Sequence, residues 1–221
     1  MAAAAKRAGR DAAEIQLVAV TKTVAPEALR AAYEAGVRHF GENRVQEWEA
    51  KAPTVAGLEG VVCHMIGHLQ RNKARRAVAL FQRIDSLDTL ALAQKLEESA
   101  AEAGAVVPVL IEVRLSAEPA KSGIDPESLD RLGESLLGCA HLDWQGLMTV
   151  PPWSEDPEPA RPYFRLLREL NERLRARLGR PFPVLSMGMT HDFEVAIEEG
   201  ATEVRIGTAI FGRRPKPPQV T

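Results

Sequence analysis

Residues 15–36, IQLVAVTKTVAPEALRAAYEAG, decide the fold of this chain. The run at 15–20 is apolar and rich in β-branched side chains, with Gln16 as its one polar break. Such a run is typical of a strand buried on both faces of a parallel sheet. Pro26 then opens a helical pattern that ends at Gly36, the usual order of these two residues around a helix. The stretch therefore predicts one strand followed by one helix.

The same strand-then-helix pattern continues to the end of the chain, and we count eight units. Strict alternation implies a parallel sheet with right-handed crossovers, and eight units of this length predict a closed (β/α)₈ TIM barrel. The alternative is an open doubly wound sheet. Its dinucleotide-binding form would place G-x-G-x-x-G after the first strand, where residues 20–26 are VTKTVAP. We predict a barrel domain over residues 1–212 and a basic, proline-rich, disordered tail over 213–221.

Composition excludes several classes of protein. Formal net charge is -2 over 221 residues, which gives no footprint for nucleic acid or an anionic membrane. No apolar run is long enough to span a bilayer, and the N-terminus lacks the apolar core of a secretory signal. Cys63 and Cys139 are far apart and outside any C-x-x-C spacing. These features favour a cytoplasmic protein with free thiols.

Lys22 is the first candidate for chemistry, because the active site of a barrel lies at the C-terminal ends of its strands. It follows the first apolar run directly. Partial burial there disfavours the ammonium form, and a neutral amine is what Schiff-base chemistry requires. The alternative interpretation is a lysine that extends its charged end to the rim.

The loops after strands seven and eight are the second candidate, because barrels often bind phosphate there. Residues 186–190 are SMGMT, and we expect Thr190 to cap the next helix with Asp192 in its first turn. Gly207 permits close approach of the backbone to a ligand, and Thr208 opens a helix whose free N–H groups favour a phosphate. Alternatively, the glycines of these loops only form tight turns.

Arg205 lies in the apolar run Val204-Arg205-Ile206, where an unpaired charge is costly. It could face the nitrogen of a pyridine ring placed between Lys22 and the phosphate loops. The alternative is a salt bridge to a barrel acid such as Glu42 or Glu112.

Two histidines and a basic cluster carry weaker signals. His64 and His68 lack a third metal ligand at suitable spacing, which favours core or rim histidines over a metal pair. The basic cluster at 71–76 is typical of a solvated helix face.

Six motifs together resemble the pyridoxal 5′-phosphate (PLP) homeostasis protein family. They are LVAVTKTVAPEAL at 17–29, AGVRHFGENRVQE at 35–47, HMIGHLQRNK at 64–73, EPAKSGI at 118–124, QGLMTVPP at 145–152 and LSMGMTHDFEVAIEEGATEVRIGTAIFGRR at 185–214. The resemblance runs from about Ala8 to Arg213, and the motifs are long and ordered. It implies a single PLP-binding barrel similar to the N-terminal domain of alanine racemase.

The resemblance also implies a role for each site residue. Lys22 would hold PLP as an internal aldimine, a Schiff base, and Arg205 would contact the pyridine nitrogen. The implied phosphate contacts are Ser186, Gly207 and Thr208, with Thr190 assisting, and the implied pocket lining is Asn43, His64 and His68. The chain departs from the family where Arg44 replaces an aromatic residue, Arg114 an asparagine and Thr190 a serine, and it begins near the middle of the family's first helix.

The function that the resemblance implies is intracellular PLP homeostasis without dedicated turnover, with PLP-dependent apoenzymes as candidate partners. The lack of a second domain in this sequence favours a monomer. The first alternative is an amino-acid racemase, which needs a base on the opposite face of its substrate. In alanine racemase that base is a tyrosine from a second domain, whereas Tyr33 and Tyr163 lie in predicted outer helices. A further alternative, from the residues alone, is a Schiff-base aldolase-like barrel without PLP.

Overall fold

The computed structural model describes residues 1–116 and 122–212, and within them eight parallel strands close into a barrel in the order β1 to β8. The predicted (β/α)₈ barrel is confirmed, and the open sheet is excluded because β1 pairs with β8. The strands are β1 Gln16–Val20, β2 His39–Glu42, β3 Val62–Met65, β4 Arg83–Leu87, β5 Val107–Glu112, β6 Leu142–Met148, β7 Val184–Met189 and β8 Glu203–Ile206.

Helices follow the strands and surround the barrel. They are α1 Ala2–Arg7, α2 Pro26–Glu34, α3 Val45–Val55, α4 Ala74–Leu80, α5 Leu90–Ala103, α6 Leu129–Leu137, α7 Arg161–Leu178, α8 Phe193–Glu198 and α9 Thr208–Phe211. The sequence predicts α3 as a short helix at 43–51, but the helix continues to Val55 because Trp48 and Val55 bury an apolar face.

The apolar core lies between the outer face of the barrel and the helices. The sequence predicts an apolar face of α7 at Phe164, Leu167, Leu170, Leu174 and Leu178; the first four are buried, and Leu178 at the end of the helix is half-buried. Full burial of each such side chain contributes about 1.5–3 kcal/mol relative to an exposed one. This layer fixes the strands, and therefore the strand ends that carry the candidate site.

The interior of the barrel is polar towards the N-terminal ends of the strands. Arg83 of β4 forms ion pairs with Asp85 of β4 and with Glu203 of β8. Because β4 and β8 are not neighbours in the sheet, the second pair must cross the interior. His64 of β3 contacts both Asp85 and His39 of β2, at 3.2 and 2.8 Å. We call these five residues the interior ion cluster.

The sequence predicts helix N-caps at Asp125, followed by Pro126, and at Thr190; the structure confirms the position of the first, although without a side-chain capping bond, and the second is wrong. Asp125 makes no capping hydrogen bond, because its carboxylate accepts from Arg114 at 2.7 Å and a 3₁₀ turn at Pro126–Ser128 precedes α6. Thr190 does not cap α8 either. Strand β7 extends to Met189, and the helix starts after a turn in which Asp192 accepts from the Met189 N–H at 2.6 Å.

Some predictions fall on residues that the structure does not describe. The tail at 213–221 and residues 118–121 of the EPAKSGI motif lie outside the described ranges. Within the described ranges, no helix combines the length and the apolar character that crossing a membrane requires.

Candidate functional site

Lys22 lies just beyond the C-terminal end of β1 and is half-buried, as the sequence predicts. A tight turn carries it, in which the Val24 N–H donates to the Thr21 carbonyl at 2.9 Å. The next residue, Thr23, has φ +62°. A β-branched residue rarely adopts this left-handed conformation, and such strain is concentrated at functional sites.

Arg205 is buried in β8 and its guanidinium lies inside the barrel. It donates to Ser186 Oγ of β7 at 2.6 Å and to the Thr149 carbonyl, just after β6, at 2.8 Å. The described residues therefore take up two of its five N–H donors, and neither Glu42 nor Glu112 accepts a hydrogen bond from it. Burial lowers the pKa of Arg205, and the nearby carboxylates oppose that shift.

Glu112 ends β5 and is a member of the site that sequence reasoning did not assign. It is 7% exposed, and within the described part of the chain its Oε2 atom has no hydrogen-bond partner. Burial raises the pKa of Glu112 to about 7, although the charge of Arg205 lowers it. The available signal was a charged residue at the end of an apolar strand, the same signal that singled out Arg205.

The end of β7 and the loop after β8 carry tight backbone geometry at the barrel mouth. Gly188 has φ +93°, and a Cβ there would lie 2.6 Å from the Ala196 side chain, so this position requires glycine. After β8, Gly207 precedes α9, whose first hydrogen bonds run from Ile210 and Phe211 to the Gly207 carbonyl. The N–H group of Thr208 lies before these bonds, at the exposed start of the helix.

Asn43 follows β2 and is half-buried against the loop after β3. A Cβ on Gly67 would lie 2.5 Å from the Asn43 carbonyl oxygen, so only glycine allows this approach. Asn43 also lines a cavity of about 580 Å³, together with Met65, His68 and Lys73.

The two histidines differ in position. His64 is fully buried, and its ring nitrogens contact His39 and Asp85, so it belongs to the interior ion cluster. That His64 lines the pocket stays a prediction. Because both of its ring nitrogens are engaged, it would act there by packing alone. His68 lies at the rim, where its Nδ1 is 3.1 Å from Asp88.

Taken together, the barrel brings the predicted residues to the C-terminal ends of contiguous strands. Ser186 belongs to β7, Arg205 to β8, Lys22 follows β1 and Asn43 follows β2. The donor chemistry suits PLP: an amine for the aldehyde, a guanidinium for the pyridine nitrogen, and hydroxyl and backbone N–H groups for the phosphate. Because Ser186 Oγ accepts from Arg205, its own O–H is left to donate.

The closed barrel, with an amine just after β1 and a buried guanidinium in β8, places this chain among α/β barrel proteins with a site whose donor groups suit PLP. The family model of the alanine racemase N-terminal domain matches residues 1–215. The pyridoxal phosphate homeostasis protein of Aquifex aeolicus is 46% identical over 211 residues, which cover 96% of this chain and 92% of that protein. The corresponding protein of Pseudomonas aeruginosa is 43% identical, with 96% and 90% covered.

Solved structures agree with this assignment. PipY of Synechococcus elongatus PCC7942 with PLP bound has a TM-score of 0.86 and 36% identity, and the match covers 94% of this chain and 97% of that one. Alanine racemase of Clostridium difficile has a TM-score of 0.77 at 15% identity, which shows the fold alone, with 97% and 56% covered. The chain belongs to the pyridoxal phosphate homeostasis protein family, with a barrel of the alanine racemase N-terminal type.

Proposed function

We propose that this protein binds PLP at the mouth of its barrel and takes part in PLP homeostasis. The relatives in Aquifex aeolicus and Pseudomonas aeruginosa carry that name, and the similar PipY structure contains PLP. The observation that carries the proposal is the placement of Lys22 just after β1 and of Arg205 in the neighbouring strand β8. Their side chains supply an amine and a buried guanidinium at one end of the barrel.

In this proposal Lys22 is the covalent attachment point. Its amine would hold PLP by a covalent bond to the aldehyde carbon, with loss of one water molecule. Arg205 would donate a hydrogen bond to the pyridine nitrogen and thereby favour its unprotonated form. Bound PLP would supply an electron-withdrawing ring, and an arginine partner weakens that withdrawal.

The remaining predicted residues bind the phosphate and line the pocket. Ser186, Gly207 and Thr208 supply hydroxyl and backbone donors to the phosphate, and Thr190 assists. Asn43 lines the pocket beside the pyridine ring, and His64 packs beneath the pocket.

We propose that the protein has no dedicated turnover. A racemase needs a second base at the substrate, and the two tyrosines are remote: Tyr33 in α2 donates to the Glu59 carbonyl at 3.1 Å, and Tyr163 lies in α7. Overnight incubation with L-alanine and saturating PLP, followed by chiral analysis, should give no sustained D-alanine formation. Robust formation that disappears in Lys22→Ala would favour the racemase instead.

The cellular setting follows from the same proposal. A monomer with an open site suits loading and release of PLP, and PLP-dependent apoenzymes in the cytoplasm would be its recipients. We expect one PLP bound per chain and a monomer by size-exclusion chromatography with light scattering. We expect no binding to nucleic acid or membranes, given the net charge of -2.

Retention of PLP by purified variants tests the proposal. Wild type should keep PLP through gel filtration, and Lys22→Ala should lose most of it while its circular dichroism spectrum is unchanged. Lys95→Ala is the control, because Lys95 lies on α5 in a surface pair with Glu98. Equal retention and equal visible absorbance in wild type and Lys22→Ala would contradict the proposal.

A further inference from the structure

Behind the turn that carries Lys22 lies a buried group of charged residues. Lys51 of α3 has its Nζ 2.8 Å from Glu42 Oε1 and 2.7 Å from the Thr21 carbonyl oxygen. The Lys51 side chain is 9% exposed and that of Glu42 is 0% exposed. The buried Lys51 ammonium group therefore donates to the carbonyl of the peptide bond between Thr21 and Lys22.

We propose that Lys51, Glu42 and Glu47 position Lys22 for covalent attachment of PLP. These three residues, with Thr21 and Thr23, are called the Lys51 cluster below. The inference rests on the proposed function and adds positioning residues to the same site. It treats Lys51 as a group that acts through the backbone, not as a second attachment point.

Every polar group of Thr21 is engaged by its surroundings. Its N–H donates to the Gly41 carbonyl at 2.9 Å, and its hydroxyl donates to Glu42 Oε1 at 2.8 Å. Its carbonyl accepts from both Lys51 and the Val24 N–H. The residue before Lys22 is therefore fixed in position and orientation.

The residue after Lys22 is held from the same helix. The Thr23 N–H donates to Glu47 Oε2 at 3.3 Å, and Glu47 Oε2 lies 4.0 Å from Lys51 Nζ. This bond accompanies the strained φ of +62° at Thr23. Both chain neighbours of Lys22 are thus tied to α3, which begins beside the predicted pocket residue Asn43.

A merely stabilising role explains this arrangement poorly. A buried ion pair usually stabilises a fold no better than packed apolar side chains of the same volume. Here Glu42 Oε2 also lacks a hydrogen-bond partner within the described residues, which adds to the cost. Burial raises the pKa of Glu42, whereas Lys51 and Thr21 lower it by donating hydrogen bonds. The arrangement is costly, and the contacts that it makes converge on the Lys22 turn.

The experiment separates positioning from stability by two measurements on Lys51→Met. Pyridoxamine 5′-phosphate has an amine in place of the aldehyde, so its affinity reports the ring and phosphate contacts alone. The rate of PLP attachment is measured by borohydride quenching at timed intervals and mass spectrometry of Lys22. We expect attachment to slow by about tenfold or more, because small misplacements of reacting groups are costly, with pyridoxamine 5′-phosphate affinity within about twofold of wild type.

Two further variants control for lost stability. Glu42→Gln/Lys51→Met removes both buried charges, so it should recover stability and still attach PLP slowly. Asn171→Ala removes a buried side-chain bond to the Phe182 carbonyl, 3.0 Å long, far from the site. It should lose stability and attach PLP at the wild-type rate.

Wild-type attachment rates in Lys51→Met would overturn the inference. Recovery of the rate together with stability in the double variant would overturn it equally. Failure of the proposed function looks different, because wild type would then give no adduct at Lys22 before any variant of the Lys51 cluster was measured.

Discussion

At the scale of single residues, Glu112 should make stability depend on pH. The pKa of its carboxyl rises from 4.5 to about 7 on folding because it is buried. Between these two values the folded state binds more protons than the unfolded state, so stability falls as pH rises through this window and levels off above it. The full difference in pKa corresponds to a change of about 3 kcal/mol in the free energy of unfolding.

The variant Glu112→Gln tests this prediction. It should be more stable than wild type at pH 8, by about 1–3 kcal/mol, and the difference should shrink towards pH 5. Urea unfolding of both proteins at several pH values measures it. A difference that does not change with pH would show that Glu112 is ionised in the folded protein throughout.

Sequence reasoning found some site residues and missed others for a physical reason. Lys22 and Arg205 stand out because each charge adjoins or interrupts an apolar strand. Lys51 lies in a helix with an ordinary mixed pattern, and only the tertiary structure brings it to Glu42. The alternative for Arg205, a salt bridge to Glu42 or Glu112, does not form among the described residues, because the Ser186 hydroxyl and the Thr149 carbonyl accept its hydrogen bonds.

At the scale of elements, the interior ion cluster links β2, β3, β4 and β8 on the N-terminal side of the site. Burial and the adjacent His64 lower the pKa of His39 to about 4, so His39 is neutral at neutral pH. Burial raises the pKa of Asp85, but the Arg83 guanidinium outweighs this and holds it below its usual value. Arg83 is therefore the charge that balances both Asp85 and Glu203.

Replacement of Arg83 should be severe. Arg83→Leu leaves two carboxylates buried without their partner, and we expect a loss of about 3–5 kcal/mol in the free energy of unfolding. Arg76→Leu is the control, because Arg76 pairs with Glu49 at the surface and should cost at most about 1 kcal/mol. Chemical denaturation compares them, and equal small losses would mean that the interior ion cluster does not hold the barrel.

At the scale of the whole molecule, closure of the barrel requires close approach of β6 and β7. A Cβ on Gly146 would lie 1.9 Å from the Val184 carbonyl oxygen. Gly146→Ala should therefore cost about 1–3 kcal/mol or more through strain at this pairing. Gly138→Ala, where the nearest atom would be 3.5 Å away, should change stability little. Thermal unfolding of both variants distinguishes these outcomes, and a similar melting temperature would contradict the close pairing.

The architecture was more predictable than the details of the site. Eight strand-then-helix units favoured the barrel over an open doubly wound sheet, because their number suits closure and no G-x-G-x-x-G follows the first strand. The helical start at Asp125 was predicted correctly, but its carboxylate accepts from Arg114 and makes no capping bond. The start at Thr190 was predicted wrongly, because β7 extends to Met189. The interior ion cluster was beyond sequence reasoning, since its members come from strands that are distant along the chain.

Borohydride reduction of the protein saturated with PLP, followed by peptide mapping, is the sharpest test of covalent PLP attachment at Lys22. We expect one phosphopyridoxyl group per chain, on the peptide that contains Lys22. An adduct on a different lysine, or no adduct at all, would contradict it.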